Sequence, residues 1–417
     1  MRQSYGPGGG FSAGAPGRDL FSVAALRELP PPDPNEAMPS SDAIGALEDR
    51  LRSDPSALDR FMEESSFPLA DPPLYTFVYR GGADAVRLRH WIYGLPTSQD
   101  FVRMTGTDLW YRTVELPPGS RVEYKFEVVS GGHGSWVLDA LNDATARDPF
   151  GANSVVTAEG YEEPEWAHHD PDAREGWLEE RSYVSQALGG SRQVTLYFPA
   201  RYRPTRRYPL LVVHDGPDYL EYSGLKIVLD NLIHRLEIPG LVVALTHPGD
   251  RMREYACSDE HTRFICDELV PQLEEELPLV GAPEGRGLMG ASLGAVASLH
   301  TAAQRPDTFG RLIVQSGSFA FTDIGDNMRG PAFEPIVAFM NDYRAEPYPV
   351  ARQIFQSVGR YESLVYENRS LVPVLRSSGM KVRYREVPDG HNWENWRDRL
   401  REGLSWLFPG PLWMVYE

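Results

Sequence analysis

Five residues of the 417-residue chain combine types and spacing suited to covalent chemistry: Gly290-Ala291-Ser292-Leu293-Gly294. They stand between a short strand-like run at 287–289 and a small-residue helical stretch at 295–303. Small neighbours let the backbone turn sharply from strand to helix and push a serine Oγ out beyond the sheet, the geometry of a nucleophile elbow. Ser292 is therefore the candidate nucleophile for an acyl transfer.

Such a serine needs a base, an acid that orients the base, and donors for the developing oxyanion. The last strand-like run, 382–387, leads into Pro388-Asp389-Gly390-His391-Asn392-Trp393, which places His391 before the final helix as the base. The run 353–358 ends in Gly359-Arg360-Tyr361-Glu362, and the order serine, acid, histidine makes Glu362 the candidate acid. Asp323, Asp326 and Asp389 are rivals. The expected oxyanion donors are the backbone N–H of Leu293 and, from the loop His214 to Tyr219, that of Gly216, because Pro217 has none. Arg251, Arg253 and Arg360 are candidate cations for an anionic substrate. The competing reading pairs them with Glu254 and Glu362. Trp393 is close enough to His391 to shape the pocket, although it and Trp396 also suit packing; His214 and His247 read as structural or pocket-lining.

The elements that must hold these groups follow a strand-helix alternation from about residue 184 onward. Strands are expected at 193–197, 208–213, 241–246, 287–289, 312–315, 353–358 and 382–387. Helices are expected at 222–236, 259–277, 293–303, 361–378 and 393–407. This is an α/β fold with a mostly parallel sheet covered on both faces, the architecture of an α/β-hydrolase over 184–417. Before it, 66–160 carries short β-rich runs separated by Gly, Pro and Asp turns, as in a smaller all-β, immunoglobulin-like sandwich. Residues 41–65 read as a helical lead-in, 161–183 as a polar linker and 1–40, with Gly8-Gly9-Gly10 and Pro30-Pro31-Pro32, as a disordered tail.

Composition narrows the function. With 41 basic against 59 acidic residues, the net charge is −18, which argues against nucleic acid or an anionic membrane as partner. Two cysteines, Cys257 and Cys266, are too few for a disulfide scaffold or a multi-cysteine zinc site. The ten histidines are scattered and no nucleotide-binding glycine motif is present, so neither metal nor cofactor is expected. With no apolar run of signal-peptide or membrane-span character, the expectation is a soluble cytoplasmic protein acting on a small-molecule ester.

Over nearly everything after residue 65 the chain resembles the enterochelin (ferric enterobactin) esterase family, within a wider esterase group that includes feruloyl esterases. The resemblance rests on 86–129, 138–143 and Asp148-Pro149 in the first part. In the second it rests on 188–192, 194–199, Tyr202, His214-Asp215-Gly216, 250–255, 290–294 and 389–393. It implies a β-sandwich preceding the hydrolase, with Ser292 as nucleophile, His391 as base and Glu362 as acid, although relatives working with a serine–histidine dyad leave Glu362 open. The acidic net charge departs from what an anionic catecholate substrate would favour. The resulting expectation is a serine esterase acting through an acyl-enzyme on catecholate siderophore esters. The alternatives are a feruloyl or acetyl carbohydrate esterase, and a catalytically silent binding protein.

Overall fold

The computed structural model describes residues 41–322 and 329–411. The tail at 1–40 and the rival acids Asp323 and Asp326 lie outside the described residues. The lead-in forms two helices, Asp42–Leu51 and Ala57–Glu64, the first capped by the Ser41 hydroxyl accepting from Ala43 N. Their apolar faces, Ile44, Leu47 and Leu58, pack with Val78, Met104 and Leu109 of the β-rich region that follows.

That region consists of two antiparallel sheets. One runs in the order Leu69–Asp71, Leu74–Arg80, Leu109–Glu115, Val102–Arg103. The other runs Ser98–Asp100, Ala85–His90, Arg121–Ser130, Gly151–Thr157, Thr145–Asp148. Alternation in Ala85–His90 buries Val86, Leu88 and His90 on one face, and the two sheets share a core in which the Phe77 and Tyr124 rings meet edge-on at 4.7 Å. Tyr361, from the second half of the chain, completes this core.

The second half is an eight-stranded sheet: β1 Trp177–Ser185, β2 Gly190–Phe198, β3 Leu210–Val213, β4 Val242–Thr246, β5 Arg286–Ala291, β6 Arg311–Gln315, β7 Gln353–Gly359 and β8 Lys381–Val387. The spatial order is β1-β2-β4-β3-β5-β6-β7-β8; pairings from β4 through β8 are parallel, and β2 is antiparallel to both its neighbours. Strands β3 and β4 are buried at every residue, which is why they read as unbroken apolar runs. Along β3 the side chains alternate between two cores: Leu210 and Val212 join one, Leu211 and Val213 the other. Helices therefore cover both faces.

Several local expectations need correction. The segment read as a linker contains β1 from Trp177 onward, an edge strand whose Glu179-Glu180-Arg181 run hides its strand character. The helix expected at 222–236 is Leu225–His234, starting after Gly224 with φ 57°, and the loop read at 214–219 contains a short helix of its own, Gly216–Glu221. That at 361–378 starts later, at Val365, leaving Glu362 in a loop. The final helix breaks into Trp393–Asp398 and Leu400–Leu407. Arg251–Tyr255 and Glu334–Ala345 are helices with no counterpart in the sequence reading.

Candidate active site

Parallel strands deliver their carboxyl ends to one rim of a sheet, where the backbone groups of the following turns are unpaired and side chains converge. Three adjacent strands here end in a non-glycine residue with positive φ: Asp215 (53°) just after β3, Ser292 (56°) after β5 and Ser316 (48°) after β6. Each costs about 1–3 kcal/mol of backbone strain, which a functional turn tolerates when its surroundings enforce it.

The flanking glycines show how the Ser292 turn is enforced. A Cβ on Gly290 would lie 2.3 Å from the Gly294 carbonyl oxygen, and one on Gly294 would lie 3.2 Å from His214 Cβ and 3.3 Å from Asp215 Oδ2. Only glycine at 290 lets the chain double back so tightly, and the tight fit at 294 brings the β5 turn against the β3 turn. Helix Leu293–Gln304 begins directly after Ser292, so the N–H of Leu293 has no acceptor within its helix. Gly216 opens the helix after β3 in the same way, and a Cβ there would meet Leu245 Cβ at 2.4 Å. Both expected oxyanion donors are thus first-turn amides of helices following neighbouring strands.

Glu362, 3% exposed, sits in the turn after β7, and its two oxygens are fully engaged. Oε1 accepts from Gly359 N and from Ser316 Oγ, each at 2.6 Å, and Oε2 faces His391 Nδ1 at 2.7 Å. The Trp396 indole N–H donates to Ser316 Oγ at 2.9 Å, and the His391 ring stands edge-on to Trp396 at 5.1 Å. Gly359 is again an enforced glycine, because a Cβ would come within 2.3 Å of the Asp389 carbonyl oxygen in the loop that carries His391. An Nδ1–H directed at the carboxylate leaves Nε2 as the nitrogen able to accept a proton. Among the described residues no hydrogen bond joins His391 to Ser292, whose Oγ lies 3.4 Å from Ser318 Oγ.

The remaining candidates have the following surroundings. Asp389, the rival acid, does not face His391: its Oδ1 accepts from Gly390 N and Asn392 Nδ2 and lies 3.6 Å from Arg121. Arg251 forms a two-pronged pair with Asp215 (2.8 and 2.8 Å), and Glu254 instead takes Arg192. Arg360 is 3.5 Å from Glu386, which also holds Arg369 at 2.7 Å, so neither expected partner is the actual one. Arg253 is exposed and has no ion pair within 4.0 Å among the described residues. Trp393 takes the packing role. It is 8% exposed and packs edge-on against Tyr219 and Trp396, since an indole of that size next to the sheet gains more from burial.

His214 is structural: fully buried, it contacts Ser298 Oγ (3.0 Å) and His261 Nε2 (2.9 Å), and desolvation holds its imidazole down to about 3. His247 meets Thr195 Oγ1 at 2.9 Å. Nothing in the sequence marks Ser316 or Trp396 for this role beyond the position of Ser316 directly after a buried parallel strand.

The fold is of the esterase type. Residues 185–407 match the model of the Putative esterase family, and the chain belongs to that family. It is 28% identical over 237 residues to an iron(III) enterobactin esterase of Dickeya dadantii, a match covering 55% of this chain and 54%, about half, of that protein. A second relative, an iron(III) enterobactin esterase of Escherichia coli, is 26% identical over 335 residues, 73% of this chain and 81% of the relative. Among solved structures, the enterobactin esterase of Shigella flexneri superposes with a TM-score of 0.65 at 22% identity, covering 81% of this chain and 94% of that one, a likeness of fold.

Proposed function

We propose that the protein is a serine carboxylic-ester hydrolase that works through an acyl-enzyme. Ser292 Oγ attacks the ester carbonyl carbon while His391 Nε2 takes the hydroxyl proton. Glu362 holds the imidazole in the tautomer that permits this and stabilises the imidazolium. The N–H groups of Leu293 and Gly216 hold the tetrahedral oxyanion. His391 then protonates the leaving alkoxide, and a water molecule repeats the sequence to free the acid and restore Ser292. For the attack Oγ exchanges its contact with Ser318 for one with the imidazole, in keeping with catalytic hydrogen bonds that tighten only with substrate bound.

The observation that carries this reading is the 2.7 Å contact from a buried, fully hydrogen-bonded Glu362 to His391, reached from the strand ends beside the strained Ser292 turn. The proposed substrates are catecholate siderophore esters of the enterobactin type, after the relatives' activity. Arg253 and the Arg360–Arg369 pair, which outweighs the single Glu386 it shares, supply local cations despite the acidic whole.

A fluorophosphonate probe tests the mechanism: stoichiometric labelling of Ser292, lost together with ester hydrolysis in Ser292→Ala, is the expected result. Absence of labelling on the folded protein overturns it. Hydrolysis of an enterobactin-type trilactone, with and without iron, compared with feruloyl and short acyl esters, tests the substrate. Turnover of simple or feruloyl esters alone removes the siderophore assignment and leaves the hydrolase standing.

A further inference from the structure

The loop that carries His391 is held from outside its own sheet. The Arg121 guanidinium, only 4% exposed, belongs to the N-terminal two-sheet region and reaches three carboxylates: Glu123 at 3.1 Å, Glu394 at 3.3 Å and Asp389 at 3.6 Å. Asp389 precedes the histidine by two residues and Glu394 follows it by three. The backbone takes part as well, Arg121 N donating to Pro388 O at 3.0 Å. Asp389 passes the contact on, because the oxygen nearest Arg121 also accepts from Gly390 N (2.6 Å) and from the Asn392 side chain (2.8 Å), the two neighbours of His391.

The same region also grips the acid's loop. Tyr93 N donates to Tyr361 O at 2.8 Å, one residue before Glu362, and the Tyr361 hydroxyl pairs with Ser120, the residue before Arg121. The two loops leave the sheet from β7 and from β8, the edge strand beyond which no further strand lies among the described residues.

We infer that Arg121 is a positioning residue for the proposed hydrolysis: it fixes the 388–394 segment so that the imidazole of His391 stays in register with Ser292. The arrangement is costly. Burial pushes Asp389 up to about 6 and Glu394 up to about 7 although Arg121 opposes both shifts, as expected when three carboxylates crowd one guanidinium. Stability alone would be served as well by apolar packing at this junction.

The inference rests on the serine-hydrolase reading, and the experiment separates the two. Wild type, Arg121→Lys and the charge-balanced double variant Arg121→Gln/Glu394→Gln are compared by steady-state hydrolysis of a short acyl aryl ester. Ser292 phosphonylation rate, thermal midpoint, and amide exchange of residues 388–394 are measured in parallel. In the double variant kcat and the phosphonylation rate are expected to fall about tenfold or more with KM little changed, because small misplacement of a base is costly. Lysine is a single point charge that cannot serve Asp389 and Glu394 together, so Arg121→Lys is expected to recover the thermal midpoint but only part of kcat, with faster exchange in 388–394. Should either variant be folded at the assay temperature, with kcat and exchange equal to wild type, the positioning role is refuted. Failure to label Ser292 in the wild type refutes the hydrolase reading instead.

Discussion

Glu362 presents two oxygens to three donors, and only one of those contacts concerns the base. In Glu362→Gln the new amide would keep a carbonyl oxygen for Gly359 N and Ser316 Oγ but would turn an NH2 toward His391 Nδ1. The imidazole would then carry its proton on Nε2, where it must accept one. This substitution is therefore expected to lower kcat by about 10²–10⁴ with KM little changed, measured by steady-state ester hydrolysis. Retention of full kcat would make the site a serine–histidine dyad. Ser292, Glu362 and His391 stand out as candidates in the sequence because each follows a strand-like run, in the serine–acid–histidine order. The bridge from Trp396 through Ser316 to Glu362 could not, since a serine hydroxyl has no sequence mark for a partner 46 residues away. Nor could the ion pairs: Arg251 takes Asp215, 36 residues distant, rather than its neighbour Glu254, which is buried against Arg192 from another strand.

At the scale of strands and turns, the site is assembled by backbone segments that approach closer than a Cβ allows. Gly359 is the clearest case, since the His391 loop crosses it with the Asp389 carbonyl 2.3 Å from where a Cβ would stand. Gly359→Ala must push that loop outward, so it is expected to destabilise by about 1–3 kcal/mol. It should also cut kcat at temperatures where the protein is still folded. Gly82→Ala, with nothing within 4 Å of the added methyl group, serves as the control and should change neither the thermal midpoint nor kcat appreciably. The same scale explains what the sequence did and did not reveal. Buried parallel strands such as Leu210–Val213 show themselves as apolar runs, whereas Trp177–Ser185 lies at the sheet edge, exposes most of its residues and reads as polar linker. The helix break at Arg399 leaves the hydrophobic spacing on either side intact, so periodicity merges the pieces.

For the molecule as a whole, the junction between the two-sheet region and the eight-stranded sheet concentrates charge where water is scarce, and this sets a pH dependence of stability. Glu394 is raised to about 7, chiefly by burial, with Glu123 adding to the shift and Arg121 and Arg397 opposing it. Its unfolded value is about 4.3, so between these limits the folded protein binds this proton more tightly than the unfolded chain does. By linkage, stability is then highest below about pH 4.3 as far as this group is concerned, and declines as pH rises toward 7. Asp389, raised to about 6 chiefly by burial, acts in the same direction. Glu394→Gln removes the first contribution while leaving Arg121 within reach of Asp389 and Glu123. At pH 7.5 the variant is expected to unfold at a temperature several degrees above wild type, a gain on the order of 2 kcal/mol. Near pH 4 the two should melt together, and the fall in thermal midpoint between pH 4 and 7 should be shallower in the variant without disappearing. Thermal unfolding of both proteins across that range checks the argument. A variant that is less stable than wild type at neutral pH would mean that the attraction of Glu394 to Arg121 outweighs the desolvation of a third carboxylate.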